Sequence, residues 1–241
     1  MQYMGGKTRI AKQLATIINK NITEDTIFYS LFCGACSVES LINCNKKVCN
    51  DSHEYLIELL KACQNNFVVP EIVTKEEYEY AKSNKDENKA LTGFIGFACG
   101  FGGKWFGGYA KNNSGTNYAK QSKNSLEKKM KNLQKETTTF LNLSYEDVEV
   151  KDNSVVYCDP PYANTTSYYN SNKFDHNLFW KYMRTLSEKN LVFISEINAP
   201  EDFVCVWQKP LKRNLDVNKN NNFNSTEKLF IHKSNLNKII L

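Results

Sequence analysis

Four consecutive residues, Asp159-Pro160-Pro161-Tyr162, follow the apolar run Val155-Val156-Tyr157-Cys158 and bring together an acceptor, a rigid turn and an aromatic face. Those parts suit methylation of a planar amine. Such a nitrogen is a weak nucleophile because its lone pair is delocalised into the ring, and acceptors that pull on its hydrogens localise that pair. Asp159 offers a carboxylate. The prolines carry no N–H, which leaves the carbonyls of Asp159 and Pro160 for the amino hydrogens. Tyr162 offers a stacking face, worth about 1–3 kcal/mol per base where bases stack on aromatic side chains. Taken alone, the four residues equally fit a strand followed by a proline turn, since Asp and Pro are common in turns.

The elements that must position this motif follow from periodicity. Residues 154–158 are β-branched and aromatic and read as a buried strand that the prolines end. Asp159 then stands at the carboxyl end of a strand, the edge where open α/β sheets bind ligands. Near the start, Gly5-Gly6 precede a helical pattern with Ile10, Leu14, Ile17 and Ile18 on one face, and Lys7 and Thr8 at its beginning. Free N–H groups at such a helix start suit an anion. Residues 26–32 predict a strand, Gly34 a turn, 38–44 a short helix, and 47–50 a second strand ending in Asp51. Residues 54–64 predict a helix with Leu56, Leu59, Leu60 and Cys63 inward. Strand, glycine turn, helix, strand and acid make the nucleotide-binding half of a doubly wound sheet.

Between residues 65 and 136 the pattern changes to charged helices, 75–82 and 124–135, around a glycine-aromatic segment at 93–109. The α/β alternation resumes with strands at 138–143 and 154–158, a helix at 175–188, a strand at 191–195 and two closing strands at 203–207 and 228–232. The expected organisation is one catalytic α/β domain, 1–64 with 137–241, carrying an insertion at 65–136.

The chain of 241 residues is long enough for a sizeable core, and 41% of it is hydrophobic. No stretch is apolar enough to span a bilayer, and residues 1–7 lack the apolar core of a signal peptide, so a cytoplasmic protein is expected. The eight cysteines are then expected as free thiols. Cys33 and Cys36 form a CxxC without a second CxxC, and His53, His176 and His232 are scattered, so no metal is expected. A net charge of +5 is compatible with a polyanionic partner. Nearly all of it is lysine, the arginines being Arg9, Arg184 and Arg213, and the asparagine-lysine run 218–222 reads as a solvated loop.

Together these segments resemble the Dam-type DNA adenine-N6 methyltransferases (D12 class, alpha group), in which cofactor motifs precede a recognition insertion and the DPPY motif follows it. Tyr3-Met4-Gly5-Gly6-Lys7 is similar to the family's N-terminal motif, Phe32-Cys33-Gly34-Ala35-Cys36-Ser37 to its glycine-rich cofactor loop, Asn50-Asp51 to its acidic strand end, and Asp159-Pro160-Pro161-Tyr162 to its catalytic motif. Phe174-Asp175-His176, Ile194-Ser195-Glu196 and Thr226-Glu227-Lys228-Leu229 match later landmarks. The resemblance implies a Rossmann-like methyltransferase fold, a mostly parallel seven-stranded sheet with a small helical recognition lobe. It also implies S-adenosylmethionine as cofactor and an adenine flipped out of double-stranded DNA as target. On these matches Asp51 would receive the ribose hydroxyls, Gly34 would let the backbone approach the ligand, Gly5, Gly6 and Lys7 would hold the methionine carboxylate or the nearby base, and Tyr145 would help form the adenine pocket. Asp159 and Pro160 would orient N6 and Tyr162 would hold the base.

Two departures stand out. The family commonly ends its first strand Glu-Pro-Phe, whereas this chain has Ser30-Leu31-Phe32, so the carboxylate expected near the methionine amino group is missing and Glu39 or Glu196 would have to replace it. Ala35 and Cys36 stand where glycines are frequent. In the insertion, Trp105, Phe106 and Tyr109 offer wedges or stacking surfaces, Lys104 and Lys111 phosphate contacts, and Asn112 and Asn113 adenine readers. The basic series Lys123, Lys128, Lys129, Lys131 and Lys135 would follow a phosphate backbone or face solvent. The insertion has no arginine. The same motif on cytosine N4, or a DNA-binding relative without catalysis, are the alternatives, and a cognate restriction endonuclease and a monomeric or weakly dimeric state are the further expectations.

Overall fold

The computed structural model describes residues 1–112, 114–162, 174–212 and 224–241. The Asn113 adenine reader and the solvated loop expected at 218–222 lie outside the described residues. Seven strands form one sheet in the order β3-β2-β1-β4-β5-β7-β6: β1 (Ile27–Ser30), β2 (Lys46–Asn50), β3 (Thr138–Leu141), β4 (Val155–Cys158), β5 (Leu191–Glu196), β6 (Phe203–Lys212) and β7 (Asn224–His232). The first five run parallel, and β7 lies antiparallel between β5 and β6. This is the Rossmann-like methyltransferase fold.

The central strands are apolar on both faces because helices cover both. Phe28, Val155, Tyr157 and Phe193 pack with Leu14 and Ile18 of α1 (Ala11–Asn19). Their neighbours Tyr29, Val156, Cys158, Val192 and Ile194 point the other way, onto Phe179, Trp180 and Met183 of α6 (His176–Lys189). Side chains alternate across a strand, so an unbroken apolar run is what a sheet buried on both sides requires.

Helix α2 (Glu54–Gln64) spans the expected residues, with Leu56, Leu59 and Leu60 fully buried. Between α2 and β3 lie α3 (Lys75–Ser83), α4 (Lys89–Ala98) and α5 (Tyr118–Met130). Thr74 and Glu77 close a capping box on α3, while Asn88 and Asn117 cap α4 and α5. These helices share a core with the sheet: Phe94, Ile95, Phe97 and Leu126 join Cys33, Cys36, Cys49 and Leu56 in one cluster.

Several expectations are corrected. The glycine-aromatic segment from 93 begins inside α4, where Gly93 serves helix packing: a Cβ on it would fall 2.1 Å from the Tyr55 carbonyl oxygen of α2. Helix α5 begins at Tyr118, not near 124, since Asn117 accepts from the Lys120 amide. The short helix expected at 38–44 is one 3-10 turn, Glu39–Leu41; the Asn19 side chain takes the Leu41 carbonyl and the Asn43 amide and ends it. The closing strands are longer than expected, and Pro210 is accommodated because β6 is the sheet edge. No helix among the described residues is long and apolar enough to cross a membrane.

Candidate active site

Strand β4 delivers Asp159 to the carboxyl edge of the sheet as expected, and the structure gives it a partner from the far end of the sequence. Lys7 Nζ lies 2.8 Å from Asp159 Oδ1, 3.8 Å from Glu227 Oε2 and 4.4 Å from the centroid of the Tyr162 ring. It also donates to the Gly5 carbonyl at 3.2 Å. Tyr162 in turn donates its hydroxyl to Glu227 Oε2 at 2.6 Å. An ammonium over a ring face and against a carboxylate satisfies charge and quadrupole together. Burial pushes Asp159 up to about 6; Lys7 pulls it down, and Glu227 and Glu196 add to the rise. Burial likewise pushes the Tyr162 hydroxyl up, so it stays a donor.

Lys7 is thereby placed against Asp159 and over Tyr162. It also precedes its helix: α1 begins at Ala11 after a turn at 8–10, so Lys7 and Thr8 are not its first residues. In sequence, Glu227 stands out only as part of a landmark. Its contact spans 65 residues, and local pattern carries no sign of it.

The loop from Phe32 to Ser37 follows β1 and is gripped from β2. Asp51 Oδ2 accepts the Gly34 amide and Oδ1 the His53 amide, both at 2.9 Å. Burial pushes Asp51 up to about 6 against those two bonds. Gly34 has φ +47, and a Cβ there would lie 2.9 Å from the Tyr3 ring, so the tyrosine occupies the space that the glycine vacates. Tyr3 and Met4 continue to the insertion, where the Met4 amide donates to the Gly103 carbonyl at 3.0 Å. Gly5 and Gly6 are exposed, and the Gly6 amide folds back onto the Tyr3 carbonyl. Ala35 and Cys36 are buried, and Cys36 takes φ +52 although it is not glycine. Such a conformation costs about 1–3 kcal/mol and persists only where the surroundings hold it. All eight cysteines are free.

At the end of β1 a buried carboxyl group reaches Ser30 from the side. Ser30 Oγ donates to Glu39 Oε1 at 2.7 Å, and Glu39 is 2% exposed. Burial pushes Glu39 up to about 8, with the Ser30 bond opposing. Glu196, the other candidate, accepts the Ile197 amide at the end of its own strand. On the α6 face, Tyr145 stands 5.2 Å from Phe32 and 5.7 Å from Phe174 between ring centroids, an aromatic wall beside Asp51's strand. Its hydroxyl donates to Glu146 at 3.2 Å.

The insertion residues divide. Lys104 and Lys111 are exposed. Trp105 is half-buried in a ring cluster, with centroids 4.4 Å from His53, 4.8 Å from Phe97 and 4.7 Å from Phe106, and Tyr109 donates its hydroxyl to the Val73 carbonyl at 2.7 Å. Trp105, Phe106 and Tyr109 thus pack against the core while each remains partly exposed. Asn112 is committed locally: its amide nitrogen donates to Thr116 and Tyr118 hydroxyls and its oxygen accepts the Thr116 amide. In the basic series, Lys123 pairs with Glu71 at 3.2 Å and Lys135 donates to Asn65. Lys129 turns inward to the loop 32–37. Lys128 and Lys131 are exposed.

A family model described as D12 class N6 adenine-specific DNA methyltransferase matches residues 3–95 and 104–197. The type II methyltransferase M.FokI of Planomicrobium okeanokoites is 27% identical over 221 residues, 80% of this chain and 33% of that protein; the chain spans about a third of this relative's length. Among solved structures, the rRNA methyltransferase aviRa from Streptomyces viridochromogenes is 9% identical with a TM-score of 0.43, covering 99% of this chain and 89% of that one. An rRNA methylase from Streptococcus thermophilus is 7% identical with a TM-score of 0.41, covering 92% and 95%.

Proposed function

Because the chain belongs to the D12 class of N6 adenine-specific DNA methyltransferases, we propose that it methylates N6 of an adenine turned out of duplex DNA, with S-adenosylmethionine as donor. The observation that carries this reading is the position of Lys7 Nζ. A nitrogen bearing hydrogens rests against Asp159 and over the Tyr162 ring, which are the demands the amino group of a stacked adenine makes. The base would displace the ammonium, and Asp159 with the Pro160 carbonyl would take the N6 hydrogens. Tyr162, fixed through its hydroxyl by Glu227, would hold the ring in plane. A base extruded from the stack loses its pairing and stacking, and this aromatic seat offsets part of that cost.

The residues present fit S-adenosylmethionine by the chemistry of their donor set. Asp51 offers a carboxylate at the end of β2, Gly34 a close backbone approach, Phe32 and Tyr145 an aromatic wall, and Ser30 with Glu39 a polar pair at the end of β1. Bound there, the cofactor supplies a methyl group on a positively charged sulfur. The protein's work is then orientation, which raises the rate by removing the entropy of encounter. The exposed insertion lysines Lys104, Lys111, Lys128 and Lys131 would contact phosphates. A cognate restriction endonuclease, a monomeric or weakly dimeric state and a cytoplasmic location accompany this reading; the relative M.FokI, a type II methyltransferase, supports the first.

The test is transfer of labelled methyl from S-adenosylmethionine to unmethylated genomic DNA, followed by mapping of modified adenines. Asp159→Ala is expected to abolish transfer with an unchanged circular dichroism spectrum. Transfer retained in that variant, or label found on a base other than adenine, overturns the proposal.

A further inference from the structure

Helix α5 belongs to the insertion, and its lysines read in sequence as a phosphate-facing series, yet Lys129 points the other way. Its Nζ donates to the Ala35 carbonyl at 2.6 Å and to Ser37 Oγ at 2.9 Å. Ser37 Oγ lies a further 3.2 Å from Thr8 Oγ1. Leu126 and Met130, on either side of Lys129 along the helix, are buried in the core shared with Ala35 and Cys36. Just beyond the helix, Asn132 donates to the Ser40 carbonyl and accepts from Lys47 Nζ. The end of α5 is thus sewn to the loop that follows β1.

The two acceptors of Lys129 flank Cys36, the residue held at φ +52 without being glycine. An L side chain in the left-handed region reverts to ordinary backbone unless something pins its neighbours. Lys129 pins both. A largely buried ammonium loses hydration, and burial lowers its tendency to hold a proton; donors placed on a carbonyl and a hydroxyl compensate for that loss.

We propose that Lys129 is a positioning residue of the inserted lobe, bracing the loop 33–37 in the shape that admits the methyl donor. This rests on the reading of the loop as the donor's seat. It makes donor affinity depend on how α5 is seated, and by linkage lets DNA on the lobe and donor in the loop alter each other's binding.

The test compares Lys129→Met with wild type in three measurements. Hydrogen exchange of the ligand-free protein should show faster exchange of the amides at 34–38. Calorimetry should show affinity for S-adenosylmethionine weakened by about tenfold or more, the loss expected for hydrogen bonds to a charged group. The slope of DNA affinity against salt should not change. Placing Cys36→Gly beside Lys129→Met should restore the donor affinity of Cys36→Gly alone, because glycine takes the positive φ without the Cβ penalty that the brace opposes. If Lys129→Met does not fold, Lys129→Gln is measured in the same way. Unchanged exchange at 34–38 overturns the brace, as does unchanged donor affinity with a shallower salt slope, which would mark Lys129 as a phosphate contact. A wild-type protein that binds no S-adenosylmethionine, but whose loop loosens in Lys129→Met, overturns the donor reading and leaves the brace standing.

Discussion

Lys7 and Asp159 stand far apart in the sequence and meet at 2.8 Å, and their charges govern when the site can work. Asp159 is pushed up to about 6 by burial, with Lys7 acting against the rise. A carboxylate accepts amino hydrogens fully only when ionised, so kcat/KM is expected to climb as pH passes about 6. Lys7→Met removes the cation that favours the ionised form, and the rise should move to higher pH. Measuring kcat/KM between pH 5 and 9 for both proteins decides it, and an unmoved midpoint would separate Lys7 from Asp159 electrostatically. At this scale the sequence is half legible. Residue types announce the motif, because Asp-Pro-Pro-Tyr carries its chemistry in adjacent positions. The partners do not announce themselves: Glu227 reaches Tyr162 across 65 residues and Lys129 reaches Ala35 across 94, and such contacts depend on a fold that local pattern does not encode.

At the scale of elements, the packing of α4 on α2 fixes how the insertion meets the sheet. A methyl group at Gly93 would sit 2.1 Å from the Tyr55 carbonyl oxygen, a backbone atom within a helix. Gly93→Ala should therefore separate the two helices and lower stability by about 1–3 kcal/mol, despite alanine's better helix propensity. Denaturant unfolding followed by circular dichroism measures it, and a stability equal to or above wild type would mean that the helices yield without strain. The same glycines explain why α4 is hidden in the sequence. Gly93 and Gly96 break a pattern that is read for propensity, whereas in the fold they are places where neighbours come too close for a Cβ. By contrast, α2 is legible to its ends because Leu56, Leu59 and Leu60 face one way and no glycine interrupts them. Strand β4 is legible because both of its faces are covered and every position is apolar.

Across the whole molecule, a formal charge of +5 is carried almost wholly by lysines, and the fold sorts them. Some are spent inside, as Lys7, Lys47 and Lys129 are. Others are paired on the surface, as Lys123 and Lys189 are. Lys128 and Lys131 remain exposed on the outer side of α5 and the turn after it. Changing both to alanine should reduce the slope of log affinity for duplex DNA against log salt by roughly 2, about 0.9 for each phosphate no longer neutralised. Donor affinity should be untouched. Fluorescence anisotropy across a salt series gives the slope, and no change in it would place the DNA on another face.

The order of strands has a consequence for how the chain comes into being. Strand β1 lies inside the sheet, and one of its two neighbours is the middle strand β4, where Phe28 aligns with Val155. The whole insertion is made between them. At ribosomal speeds, β1 and β2 wait on the order of ten seconds with an open edge before β4 emerges to cover it. During that wait the nascent sheet has unpaired backbone groups of the kind that recruit other chains. Helix α2 and the insertion helices, which can form before β3 and β4 exist, share their core with Cys33, Cys36 and Cys49. The segment that would grasp DNA in the finished protein is therefore also the nurse of its own catalytic sheet while that sheet is still incomplete.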